Sequence, residues 1–363
     1  MSNGLIPATI LTGFLGSGKT TLLKRVLSEA HGQKIAVIEN EFGEENIDND
    51  ILAVDTQEQI IQMSNGCVCC TIREDLRSTL TDLAEKRRRG ELDFDRVVIE
   101  TTGLADPGPV AQTFFMDDVV AESYLLDSIL TLVDAKHAEG QLDTRQEARR
   151  QVGFADQIFI SKSDLVARDE VDALAHRLKH MNPRAPQRQV HFGEVPIAEV
   201  FDLKGFNLNA KLDIDPDFLN EGGGHGRAHA DHHHGHDHGH DHDHGHDHHH
   251  EHGEHCNHPH HHAHDDDVKS FDFKSKKAFN PAKLEDFLGA IVQVYGPKML
   301  RYKGVLYMKG SDRKVVFQGV HQMMGSDLGP KWAPGEEKGS KMVFIGIDLP
   351  REVMMQGLEQ CLA

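Results

Sequence analysis

The sequence is short of positive charge, short of cysteine and without a long apolar run, and each shortage excludes a class of protein. Its 39 lysines and arginines against 58 aspartates and glutamates give a formal net charge of −19, which opposes nonspecific binding to nucleic-acid phosphates. No apolar run approaches the roughly 18 residues of a membrane span, and the N-terminus lacks the basic and apolar regions of a secretory signal. Five cysteines, three of them crowded together, make a poor disulfide framework. We therefore expect a cytoplasmic protein that binds neither nucleic acid nor membrane.

One segment has a composition unlike the rest. Residues 225–267 hold 21 of the 27 histidines, ten acidic residues and a single basic one, and they have almost no apolar side chains. Such a segment cannot bury enough surface to offset the entropy of ordering, so it is predicted to be a disordered loop. We call it the His-rich segment. It predicts a division into a nucleotide-binding domain at 1–205, a linker with a metal-binding tract at 206–268, and a C-terminal domain at 269–363.

The pattern of apolar runs predicts two kinds of fold. Before the His-rich segment, short apolar runs alternate with longer amphipathic stretches, which is typical of a doubly wound, mostly parallel α/β sheet. Strands are predicted at 9–11, 35–38, 97–99, 129–133, 158–160 and 190–192, and helices at 19–30, 72–89, 108–116, 140–152 and 169–181. After the segment, strand-like runs and two helices predict a smaller α+β domain with a hairpin turn at 309–312.

A phosphate-binding loop follows the first predicted strand. The sequence GFLGSGKT fits G-x-x-x-x-G-K-[ST] between a strand and a helix, which indicates a P-loop NTPase fold. Glycine lets the backbone wrap around a phosphate, Lys19 should reach the β and γ phosphates, and Thr20 should hold Mg²⁺. The residues assigned to nucleotide phosphates are Gly13, Gly16, Ser17, Gly18, Lys19, Thr20 and Thr21.

Acidic residues after two further strands complete this prediction. Glu100 ends an apolar strand and is the expected Mg²⁺ carboxylate, with the amide of Gly103 placed to sense the γ-phosphate. The acidic stretch 39–48 has the position of a nucleotide-controlled switch, in which Asp48 would orient the attacking water or bind Mg²⁺. A solvated acidic loop is the alternative for this stretch. The predicted catalytic residues are Lys19, Asp48 and Glu100.

The identity of the bound nucleotide's base is predicted from Ser161, Lys162 and Asp164 in the sequence SKSD. A carboxylate at Asp164 can accept hydrogen bonds from N1 and N2 of guanine, whereas adenine offers no matching pair of donors. The pattern is similar to the N-K-x-D guanine motif with serine in first place. GTP is predicted over ATP.

The three clustered cysteines predict a transition-metal site. Cys67, Cys69 and Cys70 lie just before a predicted helix, whose N-terminus favours the metal-binding thiolate. Three thiolates leave a tetrahedral Zn²⁺ shell incomplete, so a fourth ligand is expected from Glu39, Glu41, a histidine or a partner. Buried structural cysteines and a redox pair are the alternatives.

The His-rich segment predicts further imidazole ligands. Closely spaced histidines interleaved with aspartates suit Zn²⁺, Ni²⁺, Co²⁺ or Cu²⁺, and the segment is interpreted as a metal reservoir. A solvated linker with incidental metal binding is the alternative. Representative ligands are His232, His234, His236, His238 and His240. Histidines outside the segment, such as His176, His180 and His321, are expected to be surface or core residues. Arg301 is expected at a solvated strand edge, with contact to a partner or a phosphate as the alternative.

The motifs together resemble one family. GFLGSGKTT, IENEFGEENID, NGCVCC, ETTG and SKSD, in this order, resemble the CobW family of metal-handling P-loop GTPases, relatives of the nickel-delivery GTPases for hydrogenase and urease. The resemblance extends to the C-terminal LRYKGVLYMKG and FQGV stretches and covers the chain outside the His-rich segment. It implies GTP hydrolysis coupled to delivery of a transition metal, most often zinc, to a client protein.

Three functions follow from these patterns. The leading hypothesis is a GTPase metallochaperone that binds GTP, Mg²⁺ and a transition metal, which is Zn²⁺, Co²⁺ or Ni²⁺. Its GTP hydrolysis is expected to be slow until metal, dimerisation or a client activates it. A homodimer is therefore one expected assembly. The second hypothesis is a His-rich metal-storage protein with a regulatory nucleotide domain, and the third is a P-loop kinase with a small acceptor.

Overall fold

The structure is a computed structural model that describes residues 4–29, 32–40, 59–63, 70–206 and 266–363. Within these ranges the N-terminal part contains a seven-stranded sheet in the order β3-β2-β4-β1-β5-β6-β7. Every neighbouring pair in this sheet is parallel. The strands are β1 (Ile6–Gly13), β2 (Ile35–Asn40), β3 (Gln59–Met63), β4 (Arg96–Glu100), β5 (Tyr124–Asp134), β6 (Gln157–Ser161) and β7 (Gln187–Val190).

Helices cover both faces of this sheet. In β1, Ile10 packs into one apolar cluster and its neighbour Leu11 into another, as expected for a strand with both faces buried. The helices are α1 (Lys19–Ser28), α2 (Cys70–Arg88), α3 (Pro107–Met116), α4 (Asp118–Ser123), α5 (Ala138–Thr144), α6 (Gln146–Phe154) and α7 (Arg168–Met181). The predicted doubly wound P-loop architecture is confirmed.

The C-terminal part is built on a five-stranded antiparallel sheet in the order β11-β10-β9-β12-β8. The strands are β8 (Val268–Ser275), β9 (Met299–Leu306), β10 (Arg313–Val320), β11 (Met323–Lys331) and β12 (Ser340–Ile347), with helices α8 (Pro281–Tyr295) and α9 (Arg351–Gln360). The predicted hairpin joins β9 and β10 and turns at Gly310, whose φ of 86° suits glycine. The predicted α+β class is confirmed.

The two parts share one apolar core. One face of the C-terminal sheet packs on α8 and α9. Its other face contributes Leu300, Val343 and Ile345 to the same buried cluster as Phe154 and Leu178 of the N-terminal part. The two parts therefore pack together without a solvent layer between these residues.

Several local predictions differ from the structure. The strands β3 and β11 were not predicted, and the predicted helix at 140–152 is two helices, because Arg145 between them is extended. The strand predicted at 190–192 lies earlier, at Gln187–Val190, and it does not continue to Phe192, which has a φ of 46°. The cysteines were placed just before a helix, but Cys70 is the first residue of α2. No helix in the described ranges combines the length and apolar character that crossing a membrane requires.

Candidate nucleotide and metal site

The predicted phosphate-binding loop connects β1 to α1. Gly13, Gly16 and Gly18 have φ values of 146°, 73° and 97°, a region that favours glycine. A Cβ on Gly13 would also lie 2.4 Å from the carbonyl oxygen of Leu132 and 2.7 Å from Oγ of Ser17. The loop therefore needs glycine at its first position for both conformation and space.

Lys19 is folded back over this loop. Its Nζ donates to the carbonyl oxygens of Gly13 at 2.9 Å and Phe14 at 3.3 Å, and the residue is only 8% exposed. The loop's own backbone thus holds the ammonium group at the place where the motif predicts phosphates. A lysine in this position carries a fixed positive charge next to the free amides of the first turn of α1.

Thr20 and Glu100 meet across the start of α1. Thr20 Oγ1 donates to Glu100 Oε1 at 3.0 Å, and Glu100 is the last residue of β4, which pairs with β1. A hydroxyl and a carboxylate are hard oxygen donors of the kind that Mg²⁺ prefers. The donor set therefore fits the predicted Mg²⁺ site.

Glu39 lies beside Glu100 in the sheet. The two residues are register partners on the neighbouring parallel strands β2 and β4, and Glu39 is 7% exposed. Neighbouring strands are about 4.8 Å apart, and register partners project to the same side of the sheet. The carboxylate predicted to bind the transition metal is thus adjacent in the sheet to the carboxylate predicted to bind Mg²⁺.

The turn after Glu100 packs against the phosphate-binding loop. A Cβ on Gly103 would lie 2.5 Å from the backbone nitrogen of Leu15, so only glycine allows this approach. Gln151 of α6 donates through Nε2 to the carbonyl oxygens of Gly103 at 3.1 Å and Ala105 at 3.0 Å. Gln151 positions this turn and was missed by sequence reasoning, because nothing in its local pattern indicates a partner 48 residues away.

The SKSD segment begins where β6 ends and is bonded to the phosphate-binding loop. Ser161 Oγ donates to the carbonyl oxygen of Ser17 at 2.7 Å. Lys162 has a φ of 55° and its Nζ lies 2.8 Å from Asp134 Oδ2. Asp164 is about half exposed, with Oδ1 3.5 Å from Nδ1 of His191. The structure therefore brings Ser161 and Lys162 to the same edge of the sheet as the phosphate-binding loop.

Asp134 binds Lys162 of the SKSD segment, and sequence reasoning did not identify Asp134 as a site residue. It is the last residue of β5 and accepts hydrogen bonds from Lys162 and from Nδ1 of His137 at 2.9 Å. Burial raises the pKa of Asp134, but the bonds from Lys162 and His137 outweigh burial and leave its pKa below the ordinary value. An acid directly after a buried apolar strand was the available signal.

Some predicted site residues lie outside the described residues. These are Glu41, Asp48, Cys67, Cys69 and the histidines 232, 234, 236, 238 and 240. Cys70 begins α2, and Thr21 is exposed on the first turn of α1. In the ranges that the structure describes, no three histidine, cysteine, aspartate or glutamate side chains are grouped as a metal site.

Comparisons with known proteins identify the family of this chain. The family model "CobW/HypB/UreG, nucleotide-binding domain" matches residues 7–189, and the cobalamin synthesis protein cobW C-terminal domain matches residues 268–362. The chain belongs to the CobW/HypB/UreG family. The resemblance inferred from the motifs is confirmed.

Individual members of the CobW/HypB/UreG family match over nearly the whole chain. The zinc chaperone YjiA of Escherichia coli is 36% identical over 349 residues, which are 96% of each chain. The zinc chaperone CobW of a Sinorhizobium species is 28% identical over 95% of this chain and 94% of its own length. The crystal structure of Zn(II)-bound YjiA GTPase from E. coli superposes with a TM-score of 0.73, at 31% identity, over 99% of this chain and all of that one. The family assignment therefore places this chain among P-loop GTPases, as predicted.

Proposed function

We propose that this CobW/HypB/UreG family member is a GTP-hydrolysing metallochaperone that couples its nucleotide cycle to binding and delivery of a transition metal, Zn²⁺ first, to a client protein. The observation that carries the proposal is the pairing of Glu39 with Glu100 in the sheet. It puts a candidate ligand of the transported metal next to a candidate ligand of the nucleotide's Mg²⁺. The relatives named zinc chaperones support the choice of metal, and crowded free thiols suit the reducing cytoplasm.

The nucleotide is bound from two sides. The loop amides from Gly13 to Gly18 and the ammonium of Lys19 hold the β and γ phosphates, and Thr21 lies near the α-phosphate. Asp164 accepts hydrogen bonds from N1 and N2 of guanine while the stem of Lys162 lies along the ring. The bond from Ser161 to the loop supports this arrangement, because it couples the base contacts to the phosphate contacts.

Hydrolysis needs a metal ion and a positioned water. Thr20 and Glu100 would hold Mg²⁺, and the bound ion would supply neutralisation of the charge on the phosphate oxygens. Asp48 orients the attacking water, and the amide of Gly103 contacts the γ-phosphate. The packing of Gly103 on the loop supports a direct response of the following turn, and of α3, to loss of that phosphate.

The transported metal is bound next to this centre. Thiolates of Cys67, Cys69 and Cys70 are its ligands, and Glu39 or Glu41 supplies the fourth. Cys67 comes four residues after Met63, which pairs with Asn40 at the end of β2. Because the carboxyl ends of parallel strands share one edge of a sheet, this segment leaves the sheet at the edge that carries Glu39 and Glu100.

The deciding experiment is a competitive Zn²⁺ titration of the full-length protein with GTP analogue, with GDP and without nucleotide. A coupling of about 1.4 kcal/mol between the sites corresponds to a tenfold difference in Zn²⁺ affinity between nucleotide states. Cys67→Ser, Cys69→Ser and Cys70→Ser together should remove that difference. Cys361→Ala is the matched control, since this buried thiol lies in the C-terminal domain.

Two further readouts separate the enzyme from its alternatives. Free phosphate released from GTP without an added acceptor identifies a hydrolase rather than a kinase, and Lys19→Ala should abolish the release. Equal Zn²⁺ affinity in all nucleotide states would contradict coupling and favour metal storage. Storage is the second candidate because the His-rich segment alone holds 21 histidines. Deleting residues 225–264 should lower Zn²⁺ stoichiometry and leave GTP hydrolysis intact, whereas loss of hydrolysis would contradict a reservoir role.

A further inference from the structure

Two histidines lie one turn apart on α7, away from every residue assigned above to nucleotide or metal. His176 and His180 are both exposed, with ring centroids 4.3 Å apart and ring planes at 51°. Positions i and i+4 of a helix share one face, so their side chains can act on one ligand. The structure therefore pairs two imidazoles that sequence reasoning left as separate surface or core residues.

The ring of His180 is held in a defined orientation. Its Nδ1 lies 3.0 Å from the carbonyl oxygen of His176. Because a carbonyl oxygen can only accept, Nδ1 is the donor in this bond, and Nε2 is the ring nitrogen left to face a ligand. Histidines that bind metals usually donate the other ring N–H to a carbonyl or carboxylate in this way. The backbone contact of His180 is thus the kind that orients a metal-binding histidine.

The separation of the two rings suits one small cation. Zn–N bonds of about 2.0 to 2.1 Å in a tetrahedral shell put two ligand nitrogens about 3.3 Å apart. Ring centroids 4.3 Å apart are compatible with this nitrogen separation, because the ring nitrogens lie off the centroids and can face each other. Imidazole nitrogen suits Zn²⁺, Cu²⁺ and Ni²⁺ and not Mg²⁺.

The pair is remote from the GTP site. A helix that follows a parallel strand runs back across the sheet, so its C-terminus lies at the edge opposite to the strand's carboxyl end. His176 and His180 are in the last two turns of α7, whereas Ser161 ends the preceding strand at the nucleotide edge. The pair is therefore not part of the metal site proposed at the cysteines.

The same turn of α7 anchors the chain where the His-rich segment ends. Arg177, between the two histidines in sequence, donates Nε to Asp266 Oδ2 at 3.0 Å and a terminal nitrogen to Oδ1 at 2.6 Å. Ser270 Oγ donates to the carbonyl oxygen of His180 at 3.0 Å. His264, the last histidine of the segment, precedes Asp266 by two residues. The covalent attachment of the segment beside this turn would raise the local concentration of any metal ion that the segment binds.

We propose that His176 and His180 form a two-imidazole binding site for Zn²⁺ at the point where the His-rich segment rejoins the fold. The site needs no nucleotide and no cysteine, so it stands whether or not GTP hydrolysis is coupled to metal delivery. It gives the bound metal a fixed position on the folded domain.

The test is histidine footprinting of the full-length protein with diethyl pyrocarbonate, tryptic digestion and mass spectrometry during a Zn²⁺ titration. Arg177 and Lys179 place His176 and His180 on separate peptides, so each is read independently of the His-rich segment. Because two imidazoles act as a chelate, both should be protected together at a Zn²⁺ concentration at least about tenfold below that needed for the exposed single imidazole of His191. Mg²⁺ should protect neither.

A single substitution distinguishes a chelate from two separate contacts. In His180→Gln, protection of His176 should move to the concentration that protects His191, since its partner is lost. His191→Gln is the matched control and should leave the pair protected as in the wild type. Protection of His176 that survives His180→Gln unchanged, or a pair that is no more sensitive to Zn²⁺ than His191, would overturn the proposal.

Discussion

The imidazole of His321 sits so close to Gly108 that a Cβ on the glycine would lie 2.3 Å from Nε2. Gly108 is in the first turn of α3, the helix that follows Glu100 and Gly103. His321 lies in the turn between β10 and β11 and is 7% exposed. The C-terminal sheet therefore packs directly on the helix that we expect to respond to the γ-phosphate.

Gly108→Ala should strain this contact. The new methyl group would meet both the His321 ring and Cζ of Phe154, at 2.8 Å, and neither ring has room to withdraw. We expect the free energy of unfolding to fall by about 1 to 3 kcal/mol, measured by urea denaturation.

Gly289→Ala is the matched control for that substitution. Gly289 is also helical, in α8, but a Cβ there meets nothing within 4 Å. It should stabilise the protein slightly, because alanine has a higher helix propensity by roughly 0.5 to 1 kcal/mol. Equal effects at Gly108 and Gly289 would contradict the packing described here.

His321 should also make folding sensitive to mild acid. Burial lowers the pKa of His321 and Arg150 acts in the same direction, while Asp106 and the carbonyl of Gly296 oppose them. Because folding lowers the pKa of His321, this side chain binds a proton more readily in the unfolded chain than in the folded chain as the pH falls below about 6.5. The stabilisation is present above that pH and is lost below it, by at most about 1.4 kcal/mol per pH unit.

The measurement is urea unfolding at pH 7.5 and 5.5 with a chelator present to remove bound metal. His321→Gln should reduce the difference in unfolding free energy between the two pH values, even though the variant is less stable at both. An undiminished difference in His321→Gln would contradict a buried neutral imidazole.

Ser161→Ala tests the bond between the base segment and the phosphate-binding loop. Removing the hydroxyl leaves the carbonyl oxygen of Ser17 without this donor. A net hydrogen bond of about 1 kcal/mol predicts roughly fivefold weaker binding of both GTP and GDP, measured with fluorescent nucleotides. Ser28→Ala is the control, because Ser28 Oγ also donates to a backbone carbonyl, that of Arg25 at 2.9 Å, but at the far end of α1. Unchanged affinity in Ser161→Ala would show that the bond does not support the loop.

The sequence could predict the parts of the site whose chemistry is local. The phosphate-binding loop, Glu100 and the SKSD segment each combine a motif with an apolar strand, and the structure places them at one edge of the sheet. Strand β11 was missed because it is a largely exposed edge strand that contains glycine and proline, and Gly329 is its one buried residue. The sequence of β11 therefore shows no alternation of apolar and polar residues that would indicate a strand.

Residues defined by distant partners could not be predicted. Gln151, Asp134 and His321 acquire their roles from contacts with other elements, and no spacing in the sequence identifies these partners. Arg301 shows the same limit, because it was expected at a solvated strand edge and the structure buries it. The expectation was wrong because the outward face of β9 is covered by the N-terminal domain rather than by water.

Arg301→Met should therefore destabilise the junction of the two domains. Its terminal nitrogens donate to the Asp156 carboxylate at 2.8 and 3.3 Å, and its guanidinium lies 3.9 Å from the centroid of the Phe206 ring. Removing it takes the arginine cation away from a buried carboxylate, and breaking one partner of a buried ion pair costs about 3 to 5 kcal/mol. Urea unfolding followed by fluorescence and by circular dichroism measures the loss.

Companion variants separate the charge from the packing. Arg301→Lys keeps the charge but not the planar fork or the stacking on Phe206, so it should lie between wild type and Arg301→Met. Adding Asp156→Asn to Arg301→Met should recover part of the loss, because no uncompensated charge then remains buried. Arg313→Met is the control, since this exposed arginine donates to the carbonyl oxygen of Gly329 within the C-terminal sheet. If Arg301→Met were no less stable than Arg313→Met, the ion pair would not hold the domains together, and the shared apolar core would have to do so alone.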